Sequence, residues 1–236
     1  MMSLIITGTD TDVGKTVLTT ALVAYWQQYR DPQSLGLLKL VQSGLGDGEL
    51  YRQLFTLPQD PDTLVPLQFA APIAPPLAAA AEGRTVDLAI VWQAYQQLRQ
   101  AHGFVLVEGV GGLGSPVTNE LTVADVAAMW RWETVLVVPV KLGAIAQSVA
   151  NVALARSHHL PIRGIVLSCT QPVTPEQVAQ WTPIPLIESL TQVPILGVLP
   201  HLSERDRHDV GQLAAIATQL DLERLWPLRP ATPASR

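Results

Sequence analysis

With 236 residues, 48% of them hydrophobic, the chain can bury a two-sided core as one α/β domain, and its length demands no second domain. A formal net charge of -5 without any run of Lys or Arg excludes the basic stripe of a nucleic-acid binder, so small molecules are the expected partners. The lone cysteine, Cys169, excludes an intrachain disulfide framework and a Cys-based zinc site, which fits a reducing compartment.

The first residues run into a strand pattern with no basic region or cleavage site, so no signal peptide is expected. The apolar stretch 135–155 is interrupted by Pro139, Lys141, Gln147 and Asn151, so no membrane span is expected either, and the protein is predicted to be cytoplasmic. Leu4 to Ile6 is a short apolar run. It leads through Gly8-Thr-Asp-Thr-Asp-Val-Gly-Lys-Thr16 into a helical pattern over 17–29. Free backbone N–H groups at that helix start would face an anion. In a phosphate-binding loop the lysine reaches the β- and γ-phosphates and the following hydroxyl ligates Mg²⁺, which assigns Lys15 and Thr16. The residues Thr11, Asp12, Val13, Gly14, Lys15, Thr16 and Val17 form the expected nucleotide loop. The strict spacing G-x-x-x-x-G-K-[ST] is not met: Thr9 stands where the first glycine belongs and Gly8 lies one residue early.

A second apolar run over 35–40 ends at Lys39, followed by Ser43 and the flexible turn 44–48. A short helix is predicted over 49–55, and near its start Asp47 and Glu49 are both placed to face phosphates, or Asp47 to cap the helix. The proline-rich stretch 58–76 reads as a packed irregular loop, and 86–101 as a helix capped by Thr85 or Asp87. Phe104-Val-Leu-Val-Glu-Gly-Val-Gly-Gly112 is a buried parallel-strand pattern ending in Glu108 and a glycine loop. A carboxylate there can hold Mg²⁺ directly or through water. A helix over 122–130, a strand over 134–140 ending at Lys141, a helix over 144–158, strands over 162–168 and 193–200, and a helix over 209–220 complete a domain spanning 1–226, with 227–236 as a loose tail. The chain has three lysines, Lys15, Lys39 and Lys141. Each follows an apolar strand-like run, where open parallel sheets place their ligands.

The wording of the first loop and of the Val107-Glu-Gly-Val-Gly-Gly112 segment resembles that of dethiobiotin synthetases, and weaker likeness extends over 4–204. That resemblance implies a P-loop NTPase-like α/β fold, with a mostly parallel central sheet and helices on both faces. The implied enzyme is a cyclo-ligase of biotin biosynthesis. In it 7,8-diaminononanoate and CO2 form a carbamate, ATP phosphorylates it, and the second amine displaces phosphate to close the cyclic urea. It further implies Lys15 and Lys39 as catalytic residues, Mg²⁺ held by Thr16, Asp47 and Glu108, and Ser43 on the carbamate or diamine. The substrate carboxylate would meet the helix start at Lys141, Gly143, Ala144, Ile145 and Ala146, reached from the second subunit of a homodimer. The base would lie between strand ends at Ser168, where the family carries asparagine, and the segment Pro200, His201, Leu202 and Glu204. Ala146 also departs from the family, which often has asparagine there, so a backbone contact survives where a side-chain contact would not.

Two other readings share this lineage. A ParA/MinD-like switch ATPase would usually carry another lysine near the start of the loop, where this chain has Thr9-Asp10. A glutamine-dependent amidoligase of the cobyrinate-synthase type needs a glutaminase domain with a nucleophilic cysteine, which neither the length nor Cys169 provides.

Overall fold

The structure is a computed structural model and describes residues 2–226, so the tail expected at 227–236 lies outside the described residues. In chain order its elements are β1 (Met2–Gly8), α1 (Lys15–Tyr29), β2 (Leu35–Lys39), β3 (Gln42–Ser43), α2 (Asp47–Leu54), β4 (Gln68–Phe69), α3 (Pro75–Ala81), α4 (Leu88–Ala101) and β5 (Phe104–Gly112). There follow α5 (Val123–Met129), β6 (Glu133–Pro139), α6 (Ala144–Ser157), β7 (Ile162–Ser168), α7 (Pro175–Trp181), α8 (Ile184–Thr191), β8 (Ile195–Leu199), α9 (Val210–Ala217) and α10 (Leu222–Leu225).

Six strands form one parallel sheet in the order β2-β5-β1-β6-β7-β8. Strands read as continuous apolar runs because both faces are covered. On one face Leu4, Ile6, Leu37, Leu106, Val135 and Val137 pack with Leu18 and Leu22 of α1 and Leu213 of α9. On the other, Ile5, Leu38, Val105 and Val107 meet α4 and α5, while Leu136, Val138, Ile165 and Leu167 meet α6 and α8. Each fully buried leucine or valine of these layers contributes roughly 1.5–3 kcal/mol by leaving water.

Connections on opposite sides of β1 run in opposite directions, so the crevice beyond its C-terminal end is where such a sheet takes ligands. Register then fixes what meets there. Ile6 and Lys39 both pair with Glu108, placing the lysine and the acid on adjacent strands at one level.

Several boundaries differ from expectation. The helix after the loop begins at Lys15, two residues earlier than its apolar pattern, so Lys15 and Thr16 sit in its first turn. The proline-rich stretch is less irregular than expected: β4 pairs with β3 in a small parallel sheet, and Pro75 and Pro76 begin α3 because proline suits a first helical turn. Asp87, not Thr85, caps α4 by accepting from the Ala89 N–H. Helices α7 and α8 had no counterpart in the sequence reading, and both carry proline in their first turn.

Candidate active site

The loop between β1 and α1 is held in shape by its own backbone. Asp12 and Gly14 adopt left-handed conformations, with φ of 56° and 97°, which turns successive N–H groups toward one concavity. Gly14 needs glycine on a second ground, since a Cβ there would lie 2.3 Å from Ser168 Oγ. The glycine loop after β5 braces the same turn from behind: a Cβ on Gly112 would meet the Thr9 carbonyl carbon at 2.9 Å. Both glycine-rich segments are thus parts of one cradle.

The cradle opens into a crevice of about 620 Å³, lined by loop residues Thr11, Asp12, Gly14, Lys15, Thr16 and Val17 and by Lys39, Ser43, Asp47, Glu108, Ser168, Pro200 and Leu202. Eight other expected nucleotide-site or substrate-site residues lie off it. Val13 is buried against Gly8 as support for the loop. His201 and Glu204 point to solvent, and the α6 start formed by Lys141, Gly143, Ala144, Ile145 and Ala146 does not line this chain's crevice. The α6 start is nonetheless open, with Leu142 76% exposed and Gly143 in a left-handed turn.

On the crevice floor, charges are paired closely. Lys39 is 4% exposed; its Nζ donates to Glu108 Oε1 at 2.7 Å, to the Gly109 carbonyl at 3.2 Å and to Asp47 Oδ2. Thr16 Oγ1 stands 2.9 Å from Asp47 Oδ1 and 3.0 Å from Glu108 Oε1. Burial opposes the charge on Lys39, yet Glu108 and Asp47 outweigh it and hold the ammonium above its ordinary range. Burial likewise opposes the charge on Asp47, and Lys39 outweighs it, so this carboxylate stays below its ordinary range. Lys15 differs, because burial dominates and lowers its pKa; its Nζ donates to the loop's own Asp10 carbonyl at 3.0 Å.

The choice between Asp47 and Glu49 follows from helix geometry. Asp47, the first residue of α2, faces Thr16 and Lys39, whereas Glu49 turns back to accept from the Gly46 N–H and from Gln42. One hydroxyl and two carboxylates therefore converge, a hard-oxygen donor set of the kind Mg²⁺ takes. Ser43 lines the same crevice, and its Oγ is buried without a hydrogen-bond partner, so its hydrogen-bonding capacity is unused. Sequence reasoning missed Arg207, Pro72 and Thr170 among the lining residues, and Tyr51 beneath Glu108.

A family model described as an AAA domain matches residues 2–209. The ATP-dependent dethiobiotin synthetase BioD of Gloeothece citriformis is 60% identical over 228 residues, covering 97% of this chain and 100% of that protein. The chain belongs to the dethiobiotin synthetase family. The synthetase of Synechocystis sp. is 52% identical, covering 94% of each chain. Among solved structures, the MinD cell division protein of Aquifex aeolicus aligns with a TM-score of 0.56 at 14% identity, covering 95% of each chain. A ParA family ATPase from Chlorobium tepidum aligns at 0.53, also at 14% identity, covering 97% of this chain and 94% of that one. Those likenesses establish the P-loop α/β fold that this dethiobiotin synthetase family member shares with them.

Proposed function

We propose that the chain catalyses ATP-dependent dethiobiotin formation, a step of biotin biosynthesis, carboxylating 7,8-diaminononanoate with CO2 and closing the cyclic urea. Family membership supports the activity. The observation that carries the mechanism is the convergence of Lys15, Thr16, Lys39, Asp47 and Glu108 on one crevice floor.

Chemistry of this kind is driven by positioning and charge stabilisation. The loop N–H groups cradle the nucleotide phosphates, and Lys15 leaves the Asp10 carbonyl to meet the transferring phosphoryl group. Thr16, Asp47 and Glu108 would hold Mg²⁺, which would neutralise charge building on the nucleotide phosphates. Lys39 offers its ammonium to the carbamate oxygens from the neighbouring strand end, and the unpartnered Ser43 hydroxyl orients the carbamate or the diamine. Ser168, Pro200 and Leu202 flank the base. A second copy of the chain would present its exposed α6 start, from Lys141 to Ala146, to the substrate carboxylate, since a helix N-terminus favours an anion. No helix among the described residues is long and apolar enough to cross a membrane.

The test is product formation from diaminononanoate, bicarbonate, Mg²⁺ and nucleotide, followed by mass. Nucleotide hydrolysis that proceeds at the same rate with and without the diamine, and yields no cyclic urea, would overturn the reading in favour of a switch ATPase.

A further inference from the structure

Helix α2 brings two side chains to the crevice floor rather than one. Asp47 opens the helix, and Tyr51 follows four residues later, on the same face one turn on. Tyr51 is fully buried among the residues of the α1 layer, and its hydroxyl donates to Glu108 Oε2. Glu108 is itself fully buried, and its two oxygens are divided: Oε1 faces Thr16 and Lys39, while Oε2 faces away from them toward the phenol. We propose that Tyr51 is a positioning residue for the metal carboxylate, fixing the rotation of Glu108 so that Oε1 alone is presented to the ion. This rests on the reading of Thr16, Asp47 and Glu108 as the Mg²⁺ site.

The physical reasoning has three steps. A fully buried carboxylate oxygen must be hydrogen-bonded, and Tyr51 is what satisfies Oε2. A carboxylate tied at one oxygen cannot rotate to offer both, so the geometry at the ion is set before it arrives. Because Asp47 and Tyr51 ride on one helix, any shift of α2 moves one ligand and the orienting partner of the other together. The phenol is the donor in this contact, because an ionised carboxylate oxygen can only accept.

The experiment compares the full chain with Tyr51→Phe, Glu108→Gln and the double variant, reading Mn²⁺ binding in the presence of a non-hydrolysable nucleotide by electron paramagnetic resonance, and melting temperature. Tyr51→Phe is expected to weaken Mn²⁺ binding roughly 10–100-fold, the usual loss for an outer-shell partner. Added to Glu108→Gln, the same change should produce almost no further loss, because its effect passes through that carboxylate. Wild-type Mn²⁺ affinity in Tyr51→Phe, with Glu108→Gln impaired, overturns the role of Tyr51 alone. Wild-type affinity in Glu108→Gln overturns the metal-site reading beneath it. If Tyr51→Phe does not fold, the double variant decides. Its folding supports the proposal, since the carboxylate charge left without its donor has been neutralised, and its failure to fold overturns it, since the effect of the lost hydroxyl then does not pass through the charge of Glu108.

Discussion

Replacing Lys39 with methionine keeps the length and apolar stem of the side chain and deletes the ammonium between Glu108 and Asp47. In wild type that ammonium lies 2.7 Å from a carboxylate with no exposure to water. Breaking a buried pair by removing one partner destabilises by about 3–5 kcal/mol. Asp47 is 31% exposed and its share is screened, so the lower end applies, about 3 kcal/mol. For a chain of this size that corresponds to roughly 6–12 °C in melting temperature. The loss should be largest in chelator and should shrink when Mg²⁺ is added, because the ion takes up the charge of the same two carboxylates. The pH dependence follows in sign. The raised pKa of Lys39 makes its contribution fully present below 10.5 and lost only as pH rises through the still higher folded value. The lowered pKa of Asp47 makes its contribution present above 3.8 and lost as pH falls through its folded value. The gap between wild type and Lys39→Met should therefore be flat between those limits and close in acid. Thermal unfolding followed by circular dichroism, with and without Mg²⁺ across that range, measures it. A variant that melts with wild type in chelator would refute the claim that this ammonium holds the floor together. The same residue carries a kinetic expectation: Lys39→Ala should lose roughly 2.7–4 kcal/mol of transition-state stabilisation in the diamine-dependent rate, by analogy with a lost oxyanion donor. Severely weakened nucleotide binding with normal rates at saturating nucleotide would instead make Lys39 a phosphate ligand.

Much of this site was legible because its chemistry is written in contiguous stretches. The strand, loop and helix around Lys15 and the strand and glycine loop around Glu108 each announce their geometry locally. Lys39 stood out as a lysine at a strand end in a chain that otherwise uses arginine. What joins these pieces is sheet register, and the pairing of Lys39 with Glu108 is a non-local fact no single stretch contains. Glu49 stood as a candidate beside the preferred Asp47 for a related reason: two residues apart on a helix they point to different faces, and only packing of α2 decides which face meets the crevice. Tyr51 reads in sequence as one more buried aromatic, and its role depends on where Glu108 Oε2 lies. Helices α7 and α8 went unassigned because Pro172, Pro175, Pro183, Pro185 and Pro194 interrupt any apolar period, although proline is well suited to a first helical turn. The far wall comes from a bend at Thr170 and a single 3-10 turn, Asp206–His208, that carries Arg207, both too short to show a period in sequence.

Lys15→Ala should reduce turnover by about 10³ or more. Without nucleotide it should melt no lower than wild type, because the lowered pKa marks an ammonium that the fold disfavours at every pH below its folded value; near-normal turnover would sink the assignment. Gly14→Ala should weaken nucleotide binding, since the new Cβ meets Ser168 Oγ and φ of 97° imposes strain of roughly 1–3 kcal/mol; calorimetric affinity equal to wild type would contradict the loop geometry. The last expectation concerns choice among nucleotides and begins at the same contact. Ser168 is 4% exposed, lines the crevice at the end of β7, and lies against Gly14, so it forms the join between phosphate cradle and base wall. An asparagine there offers a base a donor and an acceptor side by side, while a hydroxyl offers one donor and lone pairs on a single atom. Sites that discriminate strongly do so by leaving buried polar groups unpaired when the wrong ligand binds, and rejection then reaches about 10⁴–10⁵. A single rotatable hydroxyl re-pairs with whichever edge it is given and imposes little of that penalty. The ratios of kcat/KM among ATP, GTP and CTP should accordingly stay within about a hundredfold, and Ser168→Asn should widen them in favour of ATP. A wild-type preference for ATP larger than that, unchanged in Ser168→Asn, would mean that backbone groups of the Pro200 to Leu202 segment read the base and the side chain at 168 does not.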